Sequence, residues 1–207
     1  MTTPVLRSIY LASRSPRRRE LLAQLDIPFH LLIFRGAELA EEVRPSEAPR
    51  EYVLRIASEK AQSGWTRMMQ RRLPRAPVLA ADTTVALDGR IFGKPADRRD
   101  AEQILSALSG KRHEVLTAVA LKYEERLETT LSASEVEFRE LSPQEIREYA
   151  ASGECDDKAG AYGIQGRAAT FVREIRGSHS GIVGLPLYET ARLLAALGPP
   201  HDRRNPD

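Results

Sequence analysis

The sequence predicts a mixed α/β fold in which helices flank one central sheet. Apolar segments typical of strands alternate with segments whose apolar residues recur at helical spacing, which is the pattern of an α/β protein. Short turns join several of the strand segments, and such hairpins exclude a purely parallel sheet. The chain has 207 residues, 42% of them hydrophobic, without an internal repeat or a long linker. We therefore expect one domain over residues 1–198 and a disordered tail over residues 199–207.

The first predicted elements are a strand, a tight turn and a helix. Residues 8–12 are apolar enough for a short buried strand. Ser15 followed by Pro16 is typical of a helix start, because Ser caps free N–H groups and Pro fits the first helical position. Phe29–Phe34 is typical of a second strand. Pro49–Met69 predicts a long helix with an apolar face made of Tyr52, Val53, Ile56, Ala57 and Ala61.

The middle of the chain predicts strands joined by a hairpin. Val78–Ala81 is fully apolar and would carry Asp82 at its C-terminal end, and Val85–Phe92 folds back around Asp88-Gly89. The later predicted elements are a helix capped by Asp97 and stopped by Gly110, strands at Val115–Tyr123 and Leu131–Phe138, a helix opened by the capping box of Ser142 and Glu145, a glycine-rich loop at Gly153–Gly166, a strand at Ala169–Ile175 and a helix at Pro186–Leu197.

The composition narrows the classes of partner. Lys and Arg number 31 against 29 Asp and Glu, and this balance argues against wholesale nucleic-acid binding while a pI near 8.8 permits small anions. No run approaches the roughly 18 apolar residues of a membrane span, and Met1–Tyr10 lacks the apolar core of a secretory signal. We therefore expect a cytoplasmic protein with no membrane or nucleic-acid partner. The single cysteine, Cys155, excludes an intrachain disulfide.

The start of the first helix carries an unusual charge. Arg17 to Arg19 lie in its first turn, directly after Ser13-Arg14-Ser15-Pro16. Cations there oppose the positive end of the helix dipole at a cost of roughly 0.3 kcal/mol or more each. A phosphate would resolve the conflict, because N–H groups, Ser hydroxyls and Arg side chains all donate to it. A solvated basic face would tolerate the same cost, and the residue types alone leave both interpretations open.

Other polar residues are ambiguous one by one. Asp82 at a strand end fits a metal ligand or a general base, but also a cap of its own turn. Lys60, beside the apolar stripe of its helix, and Lys94, held extended before a proline, are ordinary snorkelling lysines when taken alone. The pair Glu41 and Glu42 is more typical of a solvated loop than of a metal site.

The loop Asp156–Gly166 carries glycines every third residue near its end and an amide, Gln165. Closely spaced glycines let a backbone approach a ligand, and they serve plain turns equally well. The Rossmann and Walker glycine patterns are absent from the sequence, and the four histidines show no metal spacing. Cys155 has no evident activating partner, so the sequence argues against Cys–His catalysis.

Together, these segments resemble the Maf family of nucleoside triphosphate pyrophosphatases over nearly the whole chain, to about Leu197. The Tyr162-Gly163-Ile164-Gln165-Gly166 form of the late loop is similar to the branch that acts on dTTP and UTP. The matching segments are Leu11 to Arg18 with Glu20-Leu21-Leu22, Tyr52-Val53 through Glu59-Lys60-Ala61, Ala81-Asp82-Thr83, Gly93-Lys94-Pro95, Leu108-Ser109-Gly110, Asp157 to Gly166 and Val183 to Leu187.

The resemblance implies a two-lobed fold around a nucleotide cleft, related to the inosine triphosphate pyrophosphatases, and a homodimer. It implies hydrolysis of dTTP and UTP to the monophosphate and pyrophosphate with a divalent cation, Mg²⁺ or Mn²⁺. It makes Asp82 the catalytic or metal-binding carboxylate, with Glu42 as a second metal ligand, and puts Gln165 at the base. The phosphate contacts that it implies are Ser13, Arg17, Arg18, Lys60 and Lys94, of which the two lysines also count as catalytic.

Three residues depart from the family pattern. Arg14 stands where a small residue is usual and adds charge to the phosphate turn, while His179 and Cys155 replace a usual Tyr and Pro. The alternative function is a non-catalytic, nucleotide-sensing regulator of cell division or septation, which would bind a nucleotide without turnover. A nucleic-acid-binding module built on Arg67–Arg75 lacks the interleaved aromatic residues that such a surface uses.

Overall fold

The computed structural model describes residues 8–33 and 41–197, so the predicted tail over residues 199–207 lies outside the described residues. Within those two ranges, no helix combines the length and hydrophobicity that crossing a membrane requires. The strands are β1 (Ile9–Leu11), β2 (Phe29–Leu31), β3 (Val78–Leu87), β4 (Arg90–Phe92), β5 (Arg112–Tyr123), β6 (Arg126–Phe138) and β7 (Val172–Arg176). The helices are α1 (Pro16–Ala23), α2 (Pro49–Gln70), α3 (Arg98–Leu108), α4 (Pro143–Ala151), α5 (His179–Val183) and α6 (Leu187–Ala195).

The strands form one mixed sheet in the order β2-β1-β3-β5-β6-β7, and β4 pairs with the far end of β3. β1 runs parallel to both β2 and β3, whereas β3 to β7 pair in antiparallel fashion. The predicted β3–β4 hairpin is confirmed: Asp88 and Gly89 both have positive φ, at 51° and 77°, as a two-residue turn between twisted strands requires. The mixed sheet with flanking helices confirms the predicted fold class.

Helix α2 covers one face of the sheet, and its predicted apolar side is buried against β3 and β5. Gly64 explains how closely the helix approaches: a Cβ there would lie 2.7 Å from Cγ1 of Val78 and 3.1 Å from Cβ of Ala12. Lys60 lies about one turn earlier on the same helix. The close packing at Gly64 therefore brings Lys60 down onto β3.

The other face of the sheet packs against the remaining helices. Its apolar layer includes Leu22 of α1, Leu105 of α3, Tyr149 of α4 and Leu194 of α6. The helix starts follow the sequence signals: the hydroxyl of Ser15 accepts from the N–H of Arg18, as the predicted cap requires. The loop that follows α4 therefore starts from a helix anchored in the core.

Strand β3 is longer than predicted, and the prediction that Asp82 ends a strand is wrong. Asp82 lies inside β3, because Thr83, Thr84 and Val85 are β-branched residues that favour extended backbone. Moreover, β3 pairs with β5 from Val78 to Ala86 without a break. The parallel pairing with β1, however, stops at Leu79, inside the apolar run Val78–Ala81.

Two smaller differences lie elsewhere. The predicted strand at Ala169–Ile175 begins as a 3₁₀ turn at Arg167–Phe171 and becomes β7 only at Val172. Helix α5 was not predicted, because five residues are too few to show a helical period. The last residue of the predicted Phe29–Phe34 strand lies outside the described residues.

Candidate active site

A gap in the pairing of β3 forms the floor of a cleft. The pairing of β3 with β1 ends at Leu79 and the pairing with β4 begins at Val85, so among the described strands Ala80–Thr84 have a partner on the β5 side only. Successive side chains in a strand point to opposite faces, which puts Asp82 on the α2 side and Thr83 on the α1 side. The gap thus opens just beyond the parallel pairing, where α/β sheets commonly bind ligands.

On the α2 side, the ammonium of Lys60 lies between two carboxylates. Its Nζ is 2.6 Å from Oδ1 of Asp82 and 2.6 Å from Oε1 of Glu41, and Asp82 is only 5% exposed. The hydroxyl of Tyr52 donates to the backbone oxygen of Glu41 at 3.1 Å and holds that segment against α2. Burial acts to raise the pKa of Glu41, but Lys60, supported by Lys94 and Arg18, lowers it below its ordinary value.

On the α1 side, Arg18 is fixed by a chain of hydrogen bonds. Its Nε donates to the carbonyl of Gly184 at 2.8 Å and its Nη2 donates to the hydroxyl of Thr83 at 3.1 Å. Thr83 lies 3.0 Å from the hydroxyl of Thr117, which donates to the carbonyl of Gly181 at 2.7 Å. Burial lowers the pKa of Arg18, and the nearby Asp82 acts in the opposite direction. The guanidinium is therefore a preoriented cation in a partly desolvated place.

The turn before α1 is ordered from within and tied to the glycine-rich loop. The hydroxyl of Ser13 accepts from the N–H of Ser15 at 3.2 Å. Arg17 Nη1 forms an ion pair with Oδ2 of Asp157 at 3.4 Å, and Asp157 also pairs with Lys158. The first turn of α1 contains no acidic residue. At the start of α1, the positive end of the helix dipole and the arginine side chains therefore both present positive charge to the cleft.

The glycine-rich loop packs on the hairpin and positions the segment that carries Lys94. The N–H of Gly160 donates to the carbonyl of Gly93 at 3.0 Å. Deeper in the core, the hydroxyl of Tyr162 lies 2.9 Å from Nε2 of His113, whose pKa burial lowers to about 4. The imidazole is therefore neutral at physiological pH and supports the loop without adding charge to the cleft.

We predict that Gly160→Ala destabilises the protein by about 2 kcal/mol more than Gly89→Ala does. Both glycines have positive φ, which costs an L-residue roughly 1–2 kcal/mol. A Cβ at Gly160 would also lie 2.6 Å from Cγ2 of Val85, whereas a Cβ at Gly89 meets nothing within 4 Å. Urea unfolding of both variants measures the difference, and equal losses would show that Val85 gives way without cost.

The structure brings together all but one of the residues that the family resemblance assigned to the site. They line one cleft of about 930 Å³, together with Glu154, residues 157–159 and residues 162–166 of the glycine-rich loop. The assigned residues that line it are Ser13, Arg17, Arg18, Lys60, Asp82, Lys94 and Gln165.

The exception is Glu42, the expected second metal ligand. Glu42 is exposed and does not line the cleft; its backbone carbonyl accepts from Nη2 of Arg55 at 3.0 Å. Its neighbour Glu41 takes the place at Lys60 instead. The sequence shows two adjacent acidic residues with no periodic pattern around them, so it held no signal that distinguishes one from the other.

The structure adds further residues to the site that were not assigned from the sequence. Thr83 belongs to the Ala81-Asp82-Thr83 segment, so its position was available as a signal, but its partner Thr117 lies on a plain apolar strand. Tyr52 was assigned to the apolar face of α2, and only its hydroxyl reaches Glu41. The Arg17–Asp157 pair joins residues 140 positions apart, which a sequence pattern does not reveal.

The donor set of the cleft fits a divalent cation that is shared with a phosphate. The described residues include no group of three or more His, Cys, Asp or Glu side chains able to hold a metal by themselves. Asp82 and Glu41 nevertheless converge on one point, where the ammonium of Lys60 lies. Mg²⁺ is commonly bound by one or two carboxylates, with water and substrate phosphate oxygens completing the octahedron. These two carboxylates match that requirement.

The fold and the cleft define an α/β protein built to bind a phosphorylated ligand, because a basic helix start, two lysines and a buried carboxylate line one cavity. Comparison with known families makes the assignment specific. Residues 8–197 match the family described as Maf-like protein, and the chain belongs to that family. The family resemblance identified from the sequence motifs is thus confirmed.

Individual relatives are similar over nearly their whole length. The dTTP/UTP pyrophosphatase of Nitrosomonas europaea is 53% identical over 203 residues, covering 96% of this chain and 98% of the relative. The protein of the same name from Aromatoleum aromaticum is 55% identical over 203 residues, covering 95% and 98%. Among solved structures, a HAM1 protein from Coxiella burnetii is 19% identical, with a TM-score of 0.47 over 91% of this chain and 98% of that one.

Proposed function

We propose that this protein hydrolyses dTTP and UTP at the α-phosphorus, giving the nucleoside monophosphate and pyrophosphate with Mg²⁺ or Mn²⁺ as cofactor. One water molecule is consumed, and its oxygen forms the new bond to the α-phosphorus while the bond to the bridging oxygen of the pyrophosphate breaks. The observation that carries the proposal is the cleft itself: Asp82 lies between cations of α1, α2 and the β4–α3 segment. The names of the relatives above support the choice of dTTP and UTP.

In this proposal the cations bind the triphosphate and stabilise the leaving group. Arg18 is held in place by Gly184 and Thr83 before any ligand arrives, so its orientation costs nothing at the moment of reaction. Arg17 exchanges its exposed ion pair with Asp157 for a phosphate oxygen, a small loss because such pairs contribute about 1 kcal/mol or less. Lys60 and Lys94 neutralise the negative charge that accumulates on the departing pyrophosphate.

The role of Asp82 in this proposal is to promote the loss of a proton from the attacking water. Its carboxylate is almost fully buried and ionically paired with Lys60, so it is held in one orientation on a rigid strand. It can accept the water proton directly or hold the cation that acidifies the water. Mg²⁺ or Mn²⁺, held by Asp82 and Glu41 in place of the Lys60 ammonium, would supply Lewis-acid polarisation of a phosphoryl oxygen there.

A nucleotide panel assayed for pyrophosphate release tests the proposal. The purified protein with Mg²⁺ or Mn²⁺ should release pyrophosphate from dTTP and UTP at catalytic turnover, and chelation of the cation should stop the release. Binding of a nucleotide without release of pyrophosphate, over the canonical and modified nucleotides and several cations, would refute the enzyme and favour the nucleotide-sensing regulator.

We expect Gln165 to set the base preference. Its side chain is exposed and lines the cleft. The carboxamide can accept from N3–H of uracil or thymine and donate to a neighbouring carbonyl, whereas cytosine lacks that N–H. Gln165→Ala should therefore reduce kcat/KM for dTTP and UTP by roughly tenfold to a few hundredfold, and more than for CTP.

The matched control for this prediction is Gln144→Ala. Gln144 is an exposed amide on α4 that donates to Glu148 at 2.9 Å and does not line the cleft. It should leave every nucleotide unaffected. An equal loss over all nucleotides in Gln165→Ala would assign Gln165 to phosphate chemistry or to loop structure instead.

A further inference from the structure

Gln165 lies at the centre of a segment whose two ends are tied to one carboxylate. The N–H of Gly163 donates to the hydroxyl of Tyr149 at 3.1 Å, and that hydroxyl donates to Oε1 of Glu154 at 3.1 Å. The other oxygen, Oε2, accepts from the N–H of Arg167 at 3.3 Å. The hydrogen bonds therefore hold the backbone two residues before and two residues after Gln165.

The packing around these hydrogen bonds leaves the segment little room for another conformation. Tyr149 is 1% exposed on α4, and its ring meets that of Phe171 edge-on at 5.1 Å. The N–H of Gly166 donates to the carbonyl of Gly163 at 3.0 Å, which closes a turn. A Cβ on Gly166 would lie 1.9 Å from Oε1 of Glu154, so the carboxylate lies directly against the glycine backbone. Burial raises the pKa of Tyr149, which keeps its hydroxyl protonated as a donor.

We propose that Tyr149 and Glu154 are positioning residues that hold the Gly163–Arg167 segment in the conformation in which Gln165 meets the base. The inference rests on the proposed function, because it gives Gln165 its role there. A segment that is ordered before binding loses no conformational freedom when the ligand arrives. The hydrogen bonds of Tyr149 and Glu154 therefore increase the affinity for the base. Helix α4 supplies the rigid support, since Tyr149 belongs to the hydrophobic core.

The test compares Tyr149→Phe with Tyr188→Phe, each of which removes one hydroxyl. Tyr188 is 70% exposed on α6 and does not line the cleft. Calorimetry measures two probes: UMP, which needs the base end, and inorganic tripolyphosphate, which needs only the cationic end. We expect Tyr149→Phe to weaken UMP binding about tenfold and to leave tripolyphosphate binding unchanged. With UTP as substrate, the loss should fall on KM more than on kcat.

Two results would overturn the inference. Unchanged UMP affinity in Tyr149→Phe would show that the segment holds its shape without the hydroxyl. Equal weakening of UMP and tripolyphosphate would show general damage to the fold. Glu154→Gln is the second variant. Its NH₂ group is a donor where the carboxylate has an accepting oxygen, so this variant should also lower the affinity for UMP. UMP binding does not depend on turnover, so an absence of UTP hydrolysis by the wild type would refute the proposed function and leave this comparison in force.

Discussion

Asp82→Asn is expected to lower kcat for UTP by at least a hundredfold and to leave the fold intact. The amide keeps the shape of the carboxylate but neither accepts a proton at neutral pH nor holds a cation with a full negative charge, and proton transfer of this kind contributes roughly 10²–10⁴-fold. Lys60 keeps its contact with Glu41 at 2.6 Å, so the ammonium stays paired in the variant. The expected change is therefore in the chemical step.

The experiment measures kcat, UMP affinity by calorimetry and the thermal midpoint of Asp82→Asn beside Asp88→Asn. Asp88 is a matched control, because it lies in the β3–β4 turn at a φ of 51°, a conformation that Asn tolerates. Asp88→Asn should retain full activity. More than about a tenth of the wild-type kcat in Asp82→Asn, a barrier change below roughly 1.4 kcal/mol, would make Asp82 a structural partner of Lys60 and nothing more.

The second large effect is expected at Arg18. Arg18→Ala should lower kcat/KM for dTTP and UTP by roughly 10²–10³-fold, about 3–4 kcal/mol, because it removes a preoriented charge from a partly desolvated cleft. Arg18→Lys should recover only part of the loss, since an ammonium lacks the planar arrangement that reaches both Gly184 and Thr83.

Arg19→Ala is the control that separates local from distant charge. Arg19 follows Arg18 on α1, is exposed, and does not line the cleft. Its removal changes the net charge equally, and solvent and salt screen its distant effect on the cleft. Similar losses of kcat/KM in Arg18→Ala and Arg19→Ala would favour the alternative interpretation, in which Arg18 is only part of a solvated basic face.

The sequence predicted the elements well wherever local chemistry decides the structure. Ser15 with Pro16, the Asp88-Gly89 turn and the capping box at Ser142 are short-range signals, and all three are confirmed. The length of β3 escaped prediction because it depends on pairing with β5, 28 to 44 positions away along the chain. Helix α5 escaped because its five residues are fixed by contacts with the sheet rather than by their own periodicity.

The candidate site was predictable only through the family motifs. Taken one at a time, Asp82, Lys60 and Lys94 were consistent with ordinary structural roles, and only the cleft shows that they face a common space. The choice between Glu41 and Glu42 depended on which carboxylate the loop turns toward α2. The expected homodimer and cytoplasmic location, like the expected cation, stay predictions.

The hydrogen bond between Arg18 and the carbonyl of Gly184 also bears on when activity arises during synthesis. It joins positions 166 residues apart, so α1 and all seven described strands are synthesised before the acceptor of Arg18 exists. At about 5–20 residues per second, the ribosome needs on the order of ten seconds or more for that interval. Until Gly184 has left the ribosome, Arg18 lacks one of the two contacts that orient it. In a nascent chain, Arg18 therefore reaches its full set of orienting contacts only after the α5 segment has folded onto the sheet.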